Sequence, residues 1–369
     1  MKNNGYRCLL IILFINIISG LATAQTVISM PEDLKLDLCC RLHVDVGVYG
    51  GDKGNIHSGI ATYAAKLSDI RLGVKITHKQ LLAKLEGRFD NSKASITDTY
   101  LRYSIGKNSF QLGNCWMPFG FRTLSPSYHY IRNGSVDDVI DAPSRKAGLL
   151  FRHSESSWRL ATGLFSDGDI NTIGYNKGFN AVSKMTWRPF CNDNSTLHLA
   201  IASLLTKSPQ TLSFKVKSLT QGNIVTFIEE SVAGDTYKDV KKIESETIYL
   251  HGKLYLEGCF QNAHINMISE SDKIVRGFFV QSGWLVKGDK QRYNKSIGYV
   301  ANLEKGDFEV SARLGYVNFV RGWEQNKNQT DITIGMNYAF NRYVMLKINV
   351  YHSFGNDYSS CELRTQVVI

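Results

Sequence analysis

The sequence predicts a closed antiparallel transmembrane β-barrel of about sixteen strands, and three observations carry that expectation. Apolar and polar residues alternate over long stretches, an export signal opens the chain, and connectors are short and long by turns. The alternation is plainest in LKLDLCCRLHVDVGVY, from Leu34 to Tyr49. Every even position there is apolar, and the odd ones include Lys35, Asp37, Arg41, His43 and Asp45. A run of that length far exceeds the ordinary strand of about five or six residues.

Residues 1–24 read as the export signal. Lys2 and Arg7 give a positive start, Cys8 to Leu21 form an apolar run, and Ala22-Thr23-Ala24 supplies a small-residue cleavage site. The run is shorter than the ~20 residues a spanning helix needs. Residues 25–369 are then the barrel domain. It carries 41 basic against 33 acidic residues, since Lys2 and Arg7 leave with the signal. No later stretch is apolar for long enough to cross a bilayer as a helix.

Seventeen segments qualify as strands. The first five are 35–49, 67–77, 81–89, 96–105 and 109–117; Ile70, Leu72, Val74 and Ile76, for example, alternate with Arg71, Gly73 and Lys75. The next five are 147–154, 157–166, 179–188, 195–206 and 211–218. The last seven are 243–251, 253–266, 274–287, 307–319, 330–340, 344–353 and 361–369, where Phe308 to Tyr316 and Ile332 to Phe340 again keep period two. Bacterial single-chain barrels have even strand numbers. Segment 211–218 lies inside the long connector 207–242, expected as an external loop, so it is set aside and sixteen remain.

The connectors fit that count. Those at 78–80, 106–108, 251–253 and 341–343 are tight, and those at 50–66, 118–146, 167–178 and 207–242 are long. With both termini at the short-turn end, the long connectors fall together at the other end, as outer-membrane barrels arrange them. Gly288 to Gly306 is the exception, long where a short turn is due. The rival is a secreted β-sandwich, whose strands are usually shorter and whose outward face is polar.

If the apolar face meets lipid, the polar face lines a lumen. Its basic residues outnumber its acids: Arg41, Arg71, Lys75, Arg88, Arg102 and Arg313 are candidates for anion contact, with Lys35, Lys84, Arg152, Arg159, Lys184, Arg188, Lys253, Lys347 and Arg364 also inward. Rings of Arg and Lys in a narrow pore favour anions. The alternative role for each is a salt bridge to an inward acid such as Asp37, Asp45, Glu86, Asp98 or Glu257.

Other chemistry finds no pattern. Cys39, Cys40, Cys115, Cys191, Cys259 and Cys361 are scattered, without a C-x-x-C pair or a zinc spacing, and Cys39 and Cys40 are expected on opposite faces of one strand. Asp167-Gly168-Asp169-Ile170-Asn171 starts like a calcium loop, but Gly178 stands where the closing Glu belongs. No phosphate-binding loop or nucleophile elbow occurs, and dispersed basic residues give no nucleic-acid footprint. Neither an enzyme, a cofactor nor a metal is expected.

Several stretches resemble the phosphate-selective porin O and P family, in its Bacteroidetes form. Arg41-Leu42-His43-Val44-Asp45 resembles its R-L-Q-x-D first strand, and FQLGNCWMPFG, Phe110 to Gly120, its strand ending in P-F-G. Tyr255 to Gly258, Val286 to Asp289 with Tyr293, Phe308 to Leu314 and Ile334 to Asn341 resemble later family strands in the same order. Arg122 stands where the family carries an acid, and the chain ends on Ile369 rather than an aromatic. The resemblance implies a sixteen-stranded homotrimeric porin of the bacterial outer membrane. It also implies that the loop after the fifth strand, 121–146, folds in as a constriction bearing Arg122, Arg132, Arg145 and Lys146. The expected function is passive diffusion of inorganic or small organic anions, phosphate or polyphosphate among them. The alternative is a non-conducting structural or adhesive barrel that binds partners through its external loops.

Overall fold

Alternating sequence folds as strand here because each segment meets lipid on one side and polar neighbours on the other. The structure, a computed structural model, describes residues 28–29, 33–51, 63–90, 93–120, 145–168, 170–171, 178–207, 214–219, 226–233, 235–323, 328–354 and 358–369. Sixteen long strands build one barrel. In order they are β1 (Leu34–Gly51), β2 (Tyr63–His78), β3 (Leu81–Asp90), β4 (Lys93–Ile105), β5 (Asn108–Trp116), β6 (Arg145–Ser154), β7 (Trp158–Ser166) and β8 (Phe179–Cys191). The second half is β9 (Ser195–Lys207), β10 (Tyr237–His251), β11 (Leu254–Met267), β12 (Lys273–Lys287), β13 (Phe308–Arg321), β14 (Asn328–Ala339), β15 (Val344–Ser353) and β16 (Tyr358–Val368).

Each strand pairs antiparallel with its sequence neighbours, and β1 pairs with β16 from Arg41↔Val368 to Gly51↔Tyr358. Two backbone bonds between Cys40 and Ile369, at 3.1 and 2.8 Å, extend that seam. The 18-residue β1 outruns β16, and the two-residue strand Ile28–Ser29 covers its free edge opposite Lys35 and Leu36. Its unusual length thus serves three partners.

Segment 211–218 is no barrel strand. Phe214–Leu219 pairs with Thr226–Val232 in a separate hairpin within the β9–β10 connector. Most barrel strands exceed their expected bounds, since β10 reaches back to Tyr237 and β16 to Tyr358. Arg145 and Lys146, expected in the loop, open β6 instead. Lys253, expected on the inward wall, sits in the β10–β11 turn.

The two faces are chemically inverted relative to a soluble protein. Outward Leu112 and Leu164 are each 63% exposed, whereas inward Lys347 and Glu309 are fully buried. Aromatics ring both ends outside: Tyr103, Phe110, Trp187, Trp284 and Phe340 toward the short turns, Tyr63, Phe89, Phe179 and Phe354 toward the long loops. Such girdles sit at the two membrane–water boundaries. Gly113 allows the β4–β5 pair to close at a φ of 130°, where a Cβ would meet the Thr99 carbonyl oxygen at 2.3 Å.

The outward face makes a direct prediction. Leu314 lies midway along β13 and is 44% exposed. Leu314→Arg is expected to lower unfolding free energy in lipid vesicles by about 2–4 kcal/mol, as a midplane charge does. A change within about 0.5 kcal/mol, typical of an ordinary solvated surface, would place that face in water.

Candidate functional site

The lumen wall divides into braced and unbraced regions. On β1–β6 three carboxylates gather five cations. Asp69 accepts from Arg71 at 2.8 Å and lies 3.5 Å from Arg41 and 3.4 Å from Arg88. Glu86 lies 3.0 Å from Lys84 and 3.5 Å from Arg71, and takes the Thr97 hydroxyl at 2.8 Å. Asp98 accepts from Lys84 at 2.8 Å and Arg145 at 2.5 Å, while Arg145 also stacks 4.4 Å from the Trp116 ring. Lys75 is held by Asp37 at 2.6 Å.

Across the seam, Arg364 makes a two-pronged bond to Asp45, both contacts at 2.6 Å. Arg41 therefore pairs with Asp69 rather than with Asp45. On β8–β10, Lys184 donates to Glu246 at 2.5 Å, and Glu244 lies 3.8 Å away. Arg313 sits buried on β13, 3.9 Å above the Phe279 ring, and donates to Gln281 at 3.3 Å. Asp69, Glu244, Glu246 and Asp331 all lie buried on the wall, so the basic surplus is smaller than the alternation predicts.

A second set of arginines has a different environment. Arg102 donates to the Gln111 amide oxygen at 2.9 and 2.8 Å, and Arg152 donates to the same oxygen at 2.8 Å. Two cations thus share one neutral acceptor. Arg159 donates to the Ser296 carbonyl at 2.7 Å, and Arg188 to the Glu155 carbonyl at 2.9 Å. Among the described residues no carboxylate lies within ion-pair distance of these four. The Nε of Arg159 and one terminal nitrogen of Arg188 are buried without a hydrogen-bond partner. Only Arg102 stood among the sequence candidates for anion contact. The signal for the others was present: the expected strands from 109–117 to 179–188 carry inward bases and no inward acid.

Two segments enter the lumen. After β5 the chain turns inward: Met117 and Phe119 are buried against Leu150, Phe165, Val182 and Leu204. Gly120 N–H then donates to Glu244 on β10 at 3.1 Å. Arg122 and Arg132 lie outside the described residues. Lys146 donates to the Asp167 carbonyl.

The second segment is the connector Gly288 to Asp307 at the short-turn end. It folds into the barrel as a small hairpin, Tyr293–Asn294 against Tyr299–Val300. The Tyr293 hydroxyl meets His198 Nδ1 at 2.6 Å, the Gln291 amide donates to Glu309 at 2.8 Å, and Tyr299 donates to Glu257 at 3.4 Å. These contacts, with Arg159 on Ser296, tie one hairpin to β7, β9, β11 and β13. Burial pushes the Tyr293 phenol up to about 12, so it stays neutral at physiological pH. Val300 and Tyr299 pack on Ile248, Leu250 and Tyr255, giving an apolar cluster inside the barrel.

The family model for phosphate-selective porin O and P matches residues 36–365. The chain belongs to the phosphate-selective porin O and P family. This porin's fold is similar to OmpT of Vibrio cholerae in its loop L8 deletion form, with a TM-score of 0.64, 12% identity and cover of 92% of this chain and 100% of that one. It is also similar to an anion-selective porin from Comamonas acidovorans, with a TM-score of 0.59, 12% identity and cover of 91% and 100%. The outer-membrane channel DcaP of Acinetobacter baumannii aligns with a TM-score of 0.56, 9% identity and cover of 92% and 99%. No curated protein matches the sequence. Family and fold place this porin in the bacterial outer membrane and indicate a channel rather than an enzyme.

The inserted connector carries its own test. Replacing residues 290–304 with a short turn is expected to raise single-channel conductance. Unchanged conductance would mean that the hairpin stands outside the ion path.

Proposed function

We propose that this porin is a passive channel preferring anions, phosphate or polyphosphate among them, with Arg102, Arg152, Arg159 and Arg188 as the contacts an anion meets. One observation carries this reading: these four guanidinium groups rest on neutral oxygens, while Arg41, Arg71, Arg88 and Arg145 already hold carboxylates. An oxyanion accepts charge-assisted bonds, roughly twice as strong as neutral ones, and fits the guanidinium fork two oxygens at a time. Several adjacent weak sites let an ion both enter and leave. The family's description as phosphate-selective and the anion-selective structural neighbour support the reading.

In this proposal the wall arginines brace the barrel, and the 121–146 loop adds Arg122 and Arg132 to the ion path. The signal 1–24 is removed, and residues 25–369 assemble as a homotrimer; a structural neighbour, OmpT of Vibrio cholerae, has a form described as a trimer. The packed apolar clusters inside the barrel favour a second reading, a non-conducting barrel.

Planar-bilayer recording in a salt gradient separates the two. The expected result is an anion-selective reversal potential and block by phosphate. Arg102→Ala or Arg152→Ala is expected to weaken that block by about tenfold, the order of one charged hydrogen bond. A cation-selective potential would overturn the proposal, and absence of conductance would favour the second reading.

A further inference from the structure

The outer wall has a feature that conduction does not use. Over β1–β3 the outward side chains are largely Leu, Val, Ile and Phe. Between β6 and β10 the wall is hollowed. Leu164, Ala181, Leu205 and Lys241 are successive cross-strand partners, and Thr162, Ser183, Ser203 and Ile243 form the next row toward the short turns. Ala181, Ser183 and Ser203 in the middle of these rows are small. Leu149, Leu164 and Ile243, each more than half exposed, stand as banks around it. The result is an apolar groove of about 670 Å³ on the lipid side. The Thr162 hydroxyl donates back to the Val182 carbonyl at 3.2 Å, which leaves its methyl group for the groove floor.

Charge appears at one end of this groove. Lys241 is exposed there and has no ion pair among the described residues. Both rows continue past it: Lys241 pairs across to His264, and Ile243 to Asn262 and then Arg276. Arg276 is exposed and, among the described residues, donates to the Asn262 side chain alone, at 3.0 Å. His264 is taken by Asp272 at 2.9 Å. Lys241 lies four residues below Tyr237 at the top of β10 and ten above His251, hence toward the long loops. That end of an outer-membrane barrel faces the outer leaflet. A cation on the lipid face is disfavoured near the midplane and tolerated near the interface, where lipid phosphates lie.

We propose that the groove seats an acyl chain of a phosphate-bearing outer-leaflet lipid, with Lys241 and Arg276 holding its phosphate. Charge complementarity selects this occupant over a second copy of the chain. The outward face of β1–β3 offers no carboxylate among the described residues, so that apolar flank cannot answer two cations.

The test is native mass spectrometry of the full chain extracted in mild detergent, titrated with phosphorylated lipid A and with its dephosphorylated form. The phosphorylated lipid is expected to bind more tightly, and millimolar inorganic phosphate is expected not to displace it. Lys241→Gln with Arg276→Gln is expected to weaken binding by about 25-fold, from about fivefold per interfacial cation. Ser203→Phe, which fills the groove without touching a charge, is expected to weaken it too. Conductance and heat-modifiable migration serve as folding controls for all variants. Equal binding of the two lipids, displacement by free phosphate, binding unaffected by these variants, or a second copy retained in place of lipid would each overturn the proposal.

Discussion

Hydrocarbon offers a polypeptide no hydrogen-bond partner, and the whole structure follows from that constraint. Every backbone N–H and C=O within the bilayer must be satisfied by the chain itself, and strands achieve this only when the sheet has no edge. Here β1 and β16 join along a continuous register, fastened by the doubled Arg364–Asp45 contact. Closure puts one face of every strand in lipid and the other inside. Charges are thus admitted only inward or at the two interfaces, which is where those of the described strands lie.

Inside, one residue type does two jobs. An arginine beside a carboxylate is part of the wall. Removing one member of such a buried pair is strongly destabilising, because the other charge stays behind unmatched. Asp69, Glu86 and Asp98 hold Arg41, Arg71, Lys84, Arg88 and Arg145 in this way. An arginine resting on an amide or a carbonyl keeps its charge available to a passing ion. The braced arginines lie on β1–β3, with Arg145 at the start of β6 and Arg364 on β16, and the second class comprises Arg102 on β4 with Arg152, Arg159 and Arg188 on β6–β8.

Much of this was legible in the sequence. Period two gave all sixteen strands and the inward or outward direction of most side chains, because lipid and lumen impose the same alternation on every strand. The odd length of Gly288 to Gly306 flagged a connector that turns out to enter the barrel. Partnership was not legible. Arg41 shares a strand with Asp45, yet it stands opposite Arg71 and reaches diagonally to Asp69, while cross-strand register gives Asp45 to Arg364. The inward direction of Glu244 and Glu246 is not legible either, because Ser245 and Thr247 make the other face of β10 weakly apolar and blur the alternation. Strand Phe214–Leu219 alternates as well as a barrel strand does, so periodicity alone does not place it.

The central claim is that anions contact the arginines free of carboxylates and not the braced ones. Crystals soaked in arsenate, a heavier analogue of phosphate, test this directly through anomalous scattering. Arsenate density is expected within hydrogen-bond distance of the Arg102, Arg152, Arg159 and Arg188 guanidinium groups. Density at the Asp69–Glu86–Asp98 cluster, or none along the lumen, would contradict it.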